Sequence, residues 1–354
     1  PMLNNTTGKW NTAMGSFSLY NNTTACYNTS VGRQSLFSTT TGKQNTAIGN
    51  RSLYSNTTAS YNTGLGDHAG FGITSGTRNT TVGHASMQCT STGDHNVAVG
   101  HYSLHCNTTA NQNVAVGACT LMNNLTGSNN TAVGHGALHS NTTAANNVAV
   151  GQCALRNNCC SGAKENVAVG ATALLANCSG CRNNALGTSA LQCNTSGVRN
   201  QAFGGWALRR NTTGSNNTAS GYYSLNCNTG GSQNTAYGHY TLRSNVTGNC
   251  NTAMGSCAGC GTTTGSVVAI GAAALKDNTS GVNLAVGYCA AGRTTSGGQN
   301  TVVGTRAMEL NTTGGCNTVM GDHAMHYNTG NYNTAMGRLA GYCSIGTENV
   351  YIGY

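Results

Sequence analysis

The side chains able to do chemistry are few and scattered. The 354-residue chain carries 17 Cys and 10 His, but only seven acids: Asp67, Asp94, Glu165, Asp277, Glu309, Asp322 and Glu348. An enzyme needs titratable groups that converge in a cleft. The spacing offers no carboxylate pair and no nucleophile with a base, so neither catalytic nor cofactor-binding residues are expected. A metal centre takes three or four converging ligands. His84 and His101 lie 17 apart and Asp67-His68 resembles Asp322-His323. Two stacked histidines with no carboxylate beside them read as surface residues. Cys178-x-x-Cys181 and Cys257-x-x-Cys260 stand alone, without the second pair of a zinc motif. No metal site is assigned on this reading.

What positions these residues is a tandem repeat. Asn130-Thr131-Ala132-Val133-Gly134 opens a 17-residue unit of the form N-T-A-V-G-x-x-A-L-x-x-N-T-T-G-x-x. Numbering Asn as position 1, the position-5 glycine recurs 21 times from Gly15 to Gly353, mostly at steps of 17. One coil, holding an insertion near Asn158-Cys159-Cys160-Ser161, runs to 19, and 16-residue coils concentrate in 256–354. Fixed self-similarity of this kind means a stack of units that cannot stand alone.

Gly, Asn and Thr are poor helix formers, and no apolar pattern of helical period is present. Three- to four-residue strands between Gly and Asn corners predict an all-β protein, a parallel β-solenoid or β-roll of about 21 coils, left-handed favoured. It is read as one continuous domain over 1–354. Coils rising by the inter-strand spacing would give a rod on the order of 100 Å long. Asn holds position 1 in every unit but that of Val267, which predicts a ladder of stacked amides. Position 4 (Met14, Val31, Ile48 and so on) and position 9 (Leu19, Leu36, Leu53 and so on) are two large apolar columns, expected to fill the core together. Position 3, mostly Ala, faces the other way along the strand. It reads either as a fit to a narrow corner or as a flat stripe for a second chain. Gly70, Gly259, Ala291 and Gly341 replace the position-9 Leu and predict thinner coils.

Stacked columns then suggest sites. Tyr20, Phe37, Tyr54 and Phe71 share position 10 on successive coils, predicting a stacked aromatic ladder, or a strip for surface glycans or a partner fibre. Cys89 and Cys106 share position 11 on adjacent coils, close enough to bridge. Around the insertion Cys159 or Cys160 can meet Cys178 or Cys181, with Cys160 and Cys178 as the candidate bridge; the competing reading is free cysteines acting as small hydrophobes. Many cysteines in a low-charge chain point to an oxidising, extracellular setting. Position 12 begins N-x-S/T at Asn5, Asn22, Asn56, Asn107, Asn124, Asn141, Asn177, Asn194, Asn211, Asn245, Asn278 and Asn311. These are glycosylation acceptors if the chain passes a eukaryotic-type secretory route. The competing reading is a turn whose Asn and Thr side chains bond the backbone.

Charged residues make up 6% of the chain, against roughly 25% in ordinary domains. The formal charge of +9 is spread over 16 Lys and Arg, with no cluster beyond Arg209-Arg210. Nucleic-acid proteins gather basic side chains into a patch, so no nucleic-acid partner is expected. No apolar run is long enough for a membrane helix, so no membrane insertion is expected either.

The unit N-T-A-x-G-x-x-A-L-x-x-N-T-T-G resembles repeats of tail-fibre-like and surface-fibre proteins of phages, large viruses and bacteria. It is more loosely similar to the head repeats of trimeric autotransporter adhesins, which form left-handed β-rolls. The resemblance covers essentially the whole chain and implies a shaft at a cell or virion surface, one that often trimerises. Read head to tail, Tyr351-Ile352-Gly353-Tyr354 followed by Pro1-Met2-Leu3 completes one more coil. That predicts a homopolymer joined end to end through Pro1, Met2, Leu3, Tyr351, Ile352 and Tyr354, with lateral association as a further mode. The expected function is a structural subunit of an extracellular filament or fibre shaft, with a carbohydrate- or cell-binding adhesin as the alternative.

Overall fold

A computed structural model describes residues 1–343 and 345–354. The chain is all-β, with 21 three-residue strands, each at positions 2 to 4 of its unit, and no helix among the described residues. It is a parallel β-solenoid. The coils fall into two compact units, Pro1–Cys181 and Arg182–Tyr354. The first holds the strands from Thr12–Met14 to Val167–Val169, the second those from Asn184–Leu186 to Val350–Ile352.

Within each unit every strand pairs with its copy one coil on, in parallel and without a register slip. Thr12, Ala13 and Met14 face Thr29, Ser30 and Val31, for example. The rest of the coil bonds the same way. Leu104 N donates to Thr120 O at 2.9 Å, and Gln112 N to Asp94 O at 3.0 Å. The hydrogen bonds thus run along the stack, so each coil is held mainly by its two neighbours.

Two backbone features make the corners. The position-5 glycine sits at positive φ, +134° at Gly100, and a Cβ there would lie 2.5 Å from Gly117 O. Positions 7, 9 and 17 are also left-handed, though seldom glycine: Tyr102, Leu104 and Gln112 have φ of +53°, +51° and +57°. A bulky residue in this region costs about 1–2 kcal/mol. Its inter-coil bond and, for Leu104, complete burial offset that cost.

The core differs from the expectation in one respect. Position 9 is buried, as at Leu36, Leu104 and Leu138, but its partner is position 3, not position 4. Ala98, Ala115, Ala132 and Ala149 are fully buried, whereas Met14, Ile48, Val133 and Met254 at position 4 are exposed. The reason is room. Gly64 holds position 3 of its coil, and a Cβ there would come within 2.9 Å of Leu53 Cγ. Once the left-handed turn swings the leucine inwards, the space opposite is small: Ala fills it in most coils, and Ser30, Thr81, Val302 and Val319 are the larger side chains buried there. The small column is therefore the narrow corner, and the large column faces solvent.

The thinner coils keep their interior by a second change. Where Gly70 replaces leucine, Ile73 stands at position 12 in place of asparagine and is fully buried. Gly259 pairs likewise with Thr262, and Ala291 with Thr294.

Candidate functional site

Two asparagine columns line the inside of the coils. At position 1, Asn45 N and Nδ2 both donate to Asn28 Oδ1, at 2.9 and 3.1 Å, and the pattern repeats within each unit. In the second unit the same pair of bonds links Asn217 to Asn200 at 3.1 Å. Val267 interrupts the side-chain column, yet its backbone N still donates to Asn251 Oδ1 at 3.0 Å. At position 12, where asparagines stand on successive coils, Nδ2 typically donates to the Oδ1 one coil before and to a carbonyl three residues on; Asn278, whose neighbour in the column is Thr262, has an unpartnered Nδ2. Asn141 reaches Asn124 Oδ1 at 2.8 Å and Ala144 O at 3.0 Å. A buried amide left without partners costs about 1–3 kcal/mol, so the ladder is what allows asparagine inside.

This column contains eleven of the twelve sequons. Asn22, Asn56, Asn107, Asn124, Asn141, Asn177, Asn194, Asn211, Asn245, Asn278 and Asn311 are fully buried, and only Asn5 is exposed. In the folded coil the eleven leave no room for a sugar on Nδ2. Asn158 and Asn228, which lack a Ser or Thr two residues on, occupy the same buried place and make the same bonds. The sequon arises because a ladder asparagine precedes a threonine ladder, in which Thr212 Oγ1 donates to Thr229 O at 3.0 Å.

The four position-10 rings stack. Centroids are 5.4, 5.1 and 5.1 Å apart from Tyr20 through Phe37 and Tyr54 to Phe71, with planes within 7°. Their faces cover one another, so the inner rings offer a ligand edges only. Trp10 stacks on Tyr27 at 4.8 Å, and both stay more than half exposed.

A carboxylate does stand beside the histidine column, contrary to the sequence reading. Asp67 precedes His84 and His101 in position 6, with Oδ2 3.0 Å from His68 Nδ1 and 3.5 Å from His84 Nε2. The Asn50 amide, donating at 2.8 Å, is the main influence holding the Asp67 carboxyl below its ordinary range. In the second unit a hollow of about 260 Å³ is lined by Lys276, Asp277, Tyr288, Cys289, Arg293 and Glu309. Glu309 there pairs with Arg306 at 3.6 Å.

All 17 cysteines are free in the structure, and neither candidate bridge is formed in it. Cys89 and Cys106 are not joined. Cys106 Sγ instead lies 3.3 Å from His105 Nδ1, and burial, with Cys89 adding, pushes its thiol up. Cys160 and Cys178 also remain thiols, with sulfurs 3.0 Å apart and a third, that of Cys159, 3.1 Å from Cys178. Only these three, among the described residues, form a cluster of potential metal ligands. Spacing within the unit finds Cys159 and Cys178 in one column. Cys160, which the insertion adds, lies beside Cys178, one of the approaches that the insertion suggested in the sequence.

The expected end-to-end residues belong to different units. Met2 N donates to Ser18 O at 3.0 Å, and Leu3 and Pro1 are exposed. In the second unit Ile352 and Tyr354 are exposed, Tyr351 half-buried, and Arg338 Nη1 donates to the Tyr354 hydroxyl.

The strand face is continuous along the outside of each unit. Positions 2 and 4 both point outwards, and in Val97–Val99, Val114–Val116, Val148–Val150 and Val167–Val169 both are valine. Ten other position-4 side chains, from Met14 and Ile48 to Met320 and Met336, are at least 37% exposed alongside Val169. Each unit therefore carries an apolar stripe along its stack. No helix among the described residues is long and apolar enough to cross a membrane. Comparison with known protein families and with curated proteins gives no match.

Proposed function

We propose that this chain is a structural fibre-shaft protein whose copies associate side by side through the outward apolar stripe. The stripe carries the reading. Soluble monomers seldom expose long contiguous apolar surface, and such surface marks an interface. A partner that follows a stripe repeating once per coil needs the same axial period, which a second copy of the chain has. Coils of the same or another chain can also add to a strand with one neighbour by the hydrogen bonds already used within each unit. The likeness of the repeat to surface-fibre shafts supports a place at a cell or virion surface.

The test is electron microscopy with sedimentation of the purified full chain. Side-by-side assemblies that disperse when charges are placed on the stripe support the reading. Single particles at every concentration, indifferent to those charges, overturn it. Glycan binding lost on changing Trp10 and Tyr27 would instead favour the adhesin alternative.

A further inference from the structure

We propose that Cys159, Cys160 and Cys178 form a binding site for one soft metal ion, Cu(I) in preference to Zn(II). The three sulfurs lie within 4.8 Å of one another, at separations of 3.0, 3.1 and 3.8 Å. Sulfurs around an ion at about 2.3 Å stand roughly 3.8–4.0 Å apart in tetrahedral or trigonal sets. The cluster thus needs to open by less than about an ångström on two edges.

The sequence departs from its own unit three times to build this spot. Position 13 is a threonine in most coils, and its hydroxyl donates to the next coil, as Thr142 Oγ1 does to Cys159 O at 3.1 Å. Cys159 and Cys178 replace that threonine on successive coils. The two-residue insertion, found in no other coil, then brings in Cys160. Asn158 meanwhile keeps its ladder bonds to Asn141 Oδ1 and Ala163 O, at 3.0 and 2.9 Å. The detour is therefore absorbed outside the core. Cys159 is exposed and the other two are half-buried, so an ion can reach them.

The donor set chooses the metal. Three thiolates with no fourth protein ligand in the cluster suit a soft, three-coordinate monovalent ion. Zinc would have to complete its usual four with water. Binding is an exchange without redox change: three thiols release three protons to solvent as three copper–sulfur bonds form. This inference does not rest on the fibre reading.

The experiment uses the full chain, reduced and free of oxygen, titrated with Cu(I) against a chromophoric Cu(I) chelator and, separately, with Zn(II). One tight Cu(I) per chain is expected. Changing both Cys159 and Cys178 to the repeat's own threonine should weaken it by about 100-fold and keep the β-sheet circular dichroism. Cys106→Ser should leave it unchanged. One equivalent of Cu(I) should shield Cys159, Cys160 and Cys178 from alkylation while other thiols still react. The proposal fails if tight binding survives the double threonine variant, or if the shielded thiols are others. It also fails if Zn(II) outcompetes Cu(I), or if a Cys178 disulfide forms and the reduced chain then binds no ion.

Discussion

Ile73 fills the space that Gly70 leaves empty. A Cβ added at Gly70 would lie 3.1 Å from Ile73 Cδ1 and 2.7 Å from Leu53 Cδ2. Ordinary coils put leucine at position 9 and asparagine at position 12, and this coil exchanges both. The exchange leaves a mark on either side: Asn56 Oδ1 and Thr90 Oγ1, the neighbours of Ile73 in the column, have no hydrogen-bond partner.

The pair should therefore be strongly coupled. Gly70→Leu alone overpacks the coil, and Ile73→Asn alone leaves a cavity, each costing about 2–3 kcal/mol. The double variant rebuilds the usual coil and supplies partners to Asn56 and Thr90. It should unfold within about 1 kcal/mol of wild type in urea, a coupling of several kcal/mol. Additive losses would show that Gly70 and Ile73 do not share one space.

A gap in the same ladder can be closed. Thr39 separates Asn22 from Asn56, and Asn22 Oδ1 is unpartnered. Along the column Asn56 Nδ2 meets Thr39 Oγ1 at a long 3.4 Å, beside its bond to Ala59 O at 3.2 Å. Thr39→Asn would add a donor to Asn22 and a better acceptor for Asn56, worth about 1 kcal/mol. Calorimetry should show a melting point higher by roughly 2 °C. An unchanged or lower value would mean that the orphaned oxygen carries no cost.

These two cases also show what the sequence could and could not reveal. The repeat period, the strand at positions 2 to 4 and the position-1 amide ladder follow from residue types alone. Which face of the strand points inwards does not. Val97-Ala98-Val99 is apolar on both sides, so alternation gives two faces without saying which is inside. The answer depends on left-handed backbone at Leu104 and its equivalents, which no bulky residue advertises. The thiol cluster was legible only as alternatives, Cys159 or Cys160 against Cys178 or Cys181: two members share a column, but spacing does not fix the path of the insertion that brings in Cys160.

Glycines separate crowding from conformation. Gly100 and Gly136 both have positive φ, of +134° and +65°. A Cβ at Gly100 would meet Gly117 O at 2.5 Å, whereas at Gly136 it would meet only Cys153 Sγ, at 3.7 Å. Position 7, where Gly136 stands, holds Tyr102 and Cys119 in other coils at φ of +53° and +54°. Gly100→Ala should cost about 3 kcal/mol or more and Gly136→Ala about 1 kcal/mol. Similar losses in urea unfolding would place the cost in backbone angle alone.

The thiol cluster should also make stability depend on alkaline pH. Hydrogen bonding with Cys160 first, then Cys159, pushes the Cys178 thiol from about 9 up to about 12. The folded state therefore holds its proton more tightly than the unfolded state. The stability this contributes is complete below pH 9 and is lost as pH rises towards 12. Melting points of the metal-free reduced chain should fall more steeply above pH 9 than those of Cys178→Thr. Parallel curves would remove the cluster as the cause.

The strand face gives the sharpest contrast between neighbours in sequence. Ala115 is fully buried and Val116, the next residue, lies on the outward stripe. Ala115→Glu forces a charge into a space that holds one methyl group, so the coil should not fold around it. Val116→Glu meets water, and the single chain should melt within about 0.5 kcal/mol of wild type. If copies pack stripe to stripe, however, that carboxylate is trapped between apolar surfaces or repelled by its counterpart. Self-association measured by sedimentation should then weaken by about tenfold or more, since 1.4 kcal/mol suffices for that factor. A Val116→Glu chain that stays folded and associates as wild type does would mean that the stripe is not where copies meet.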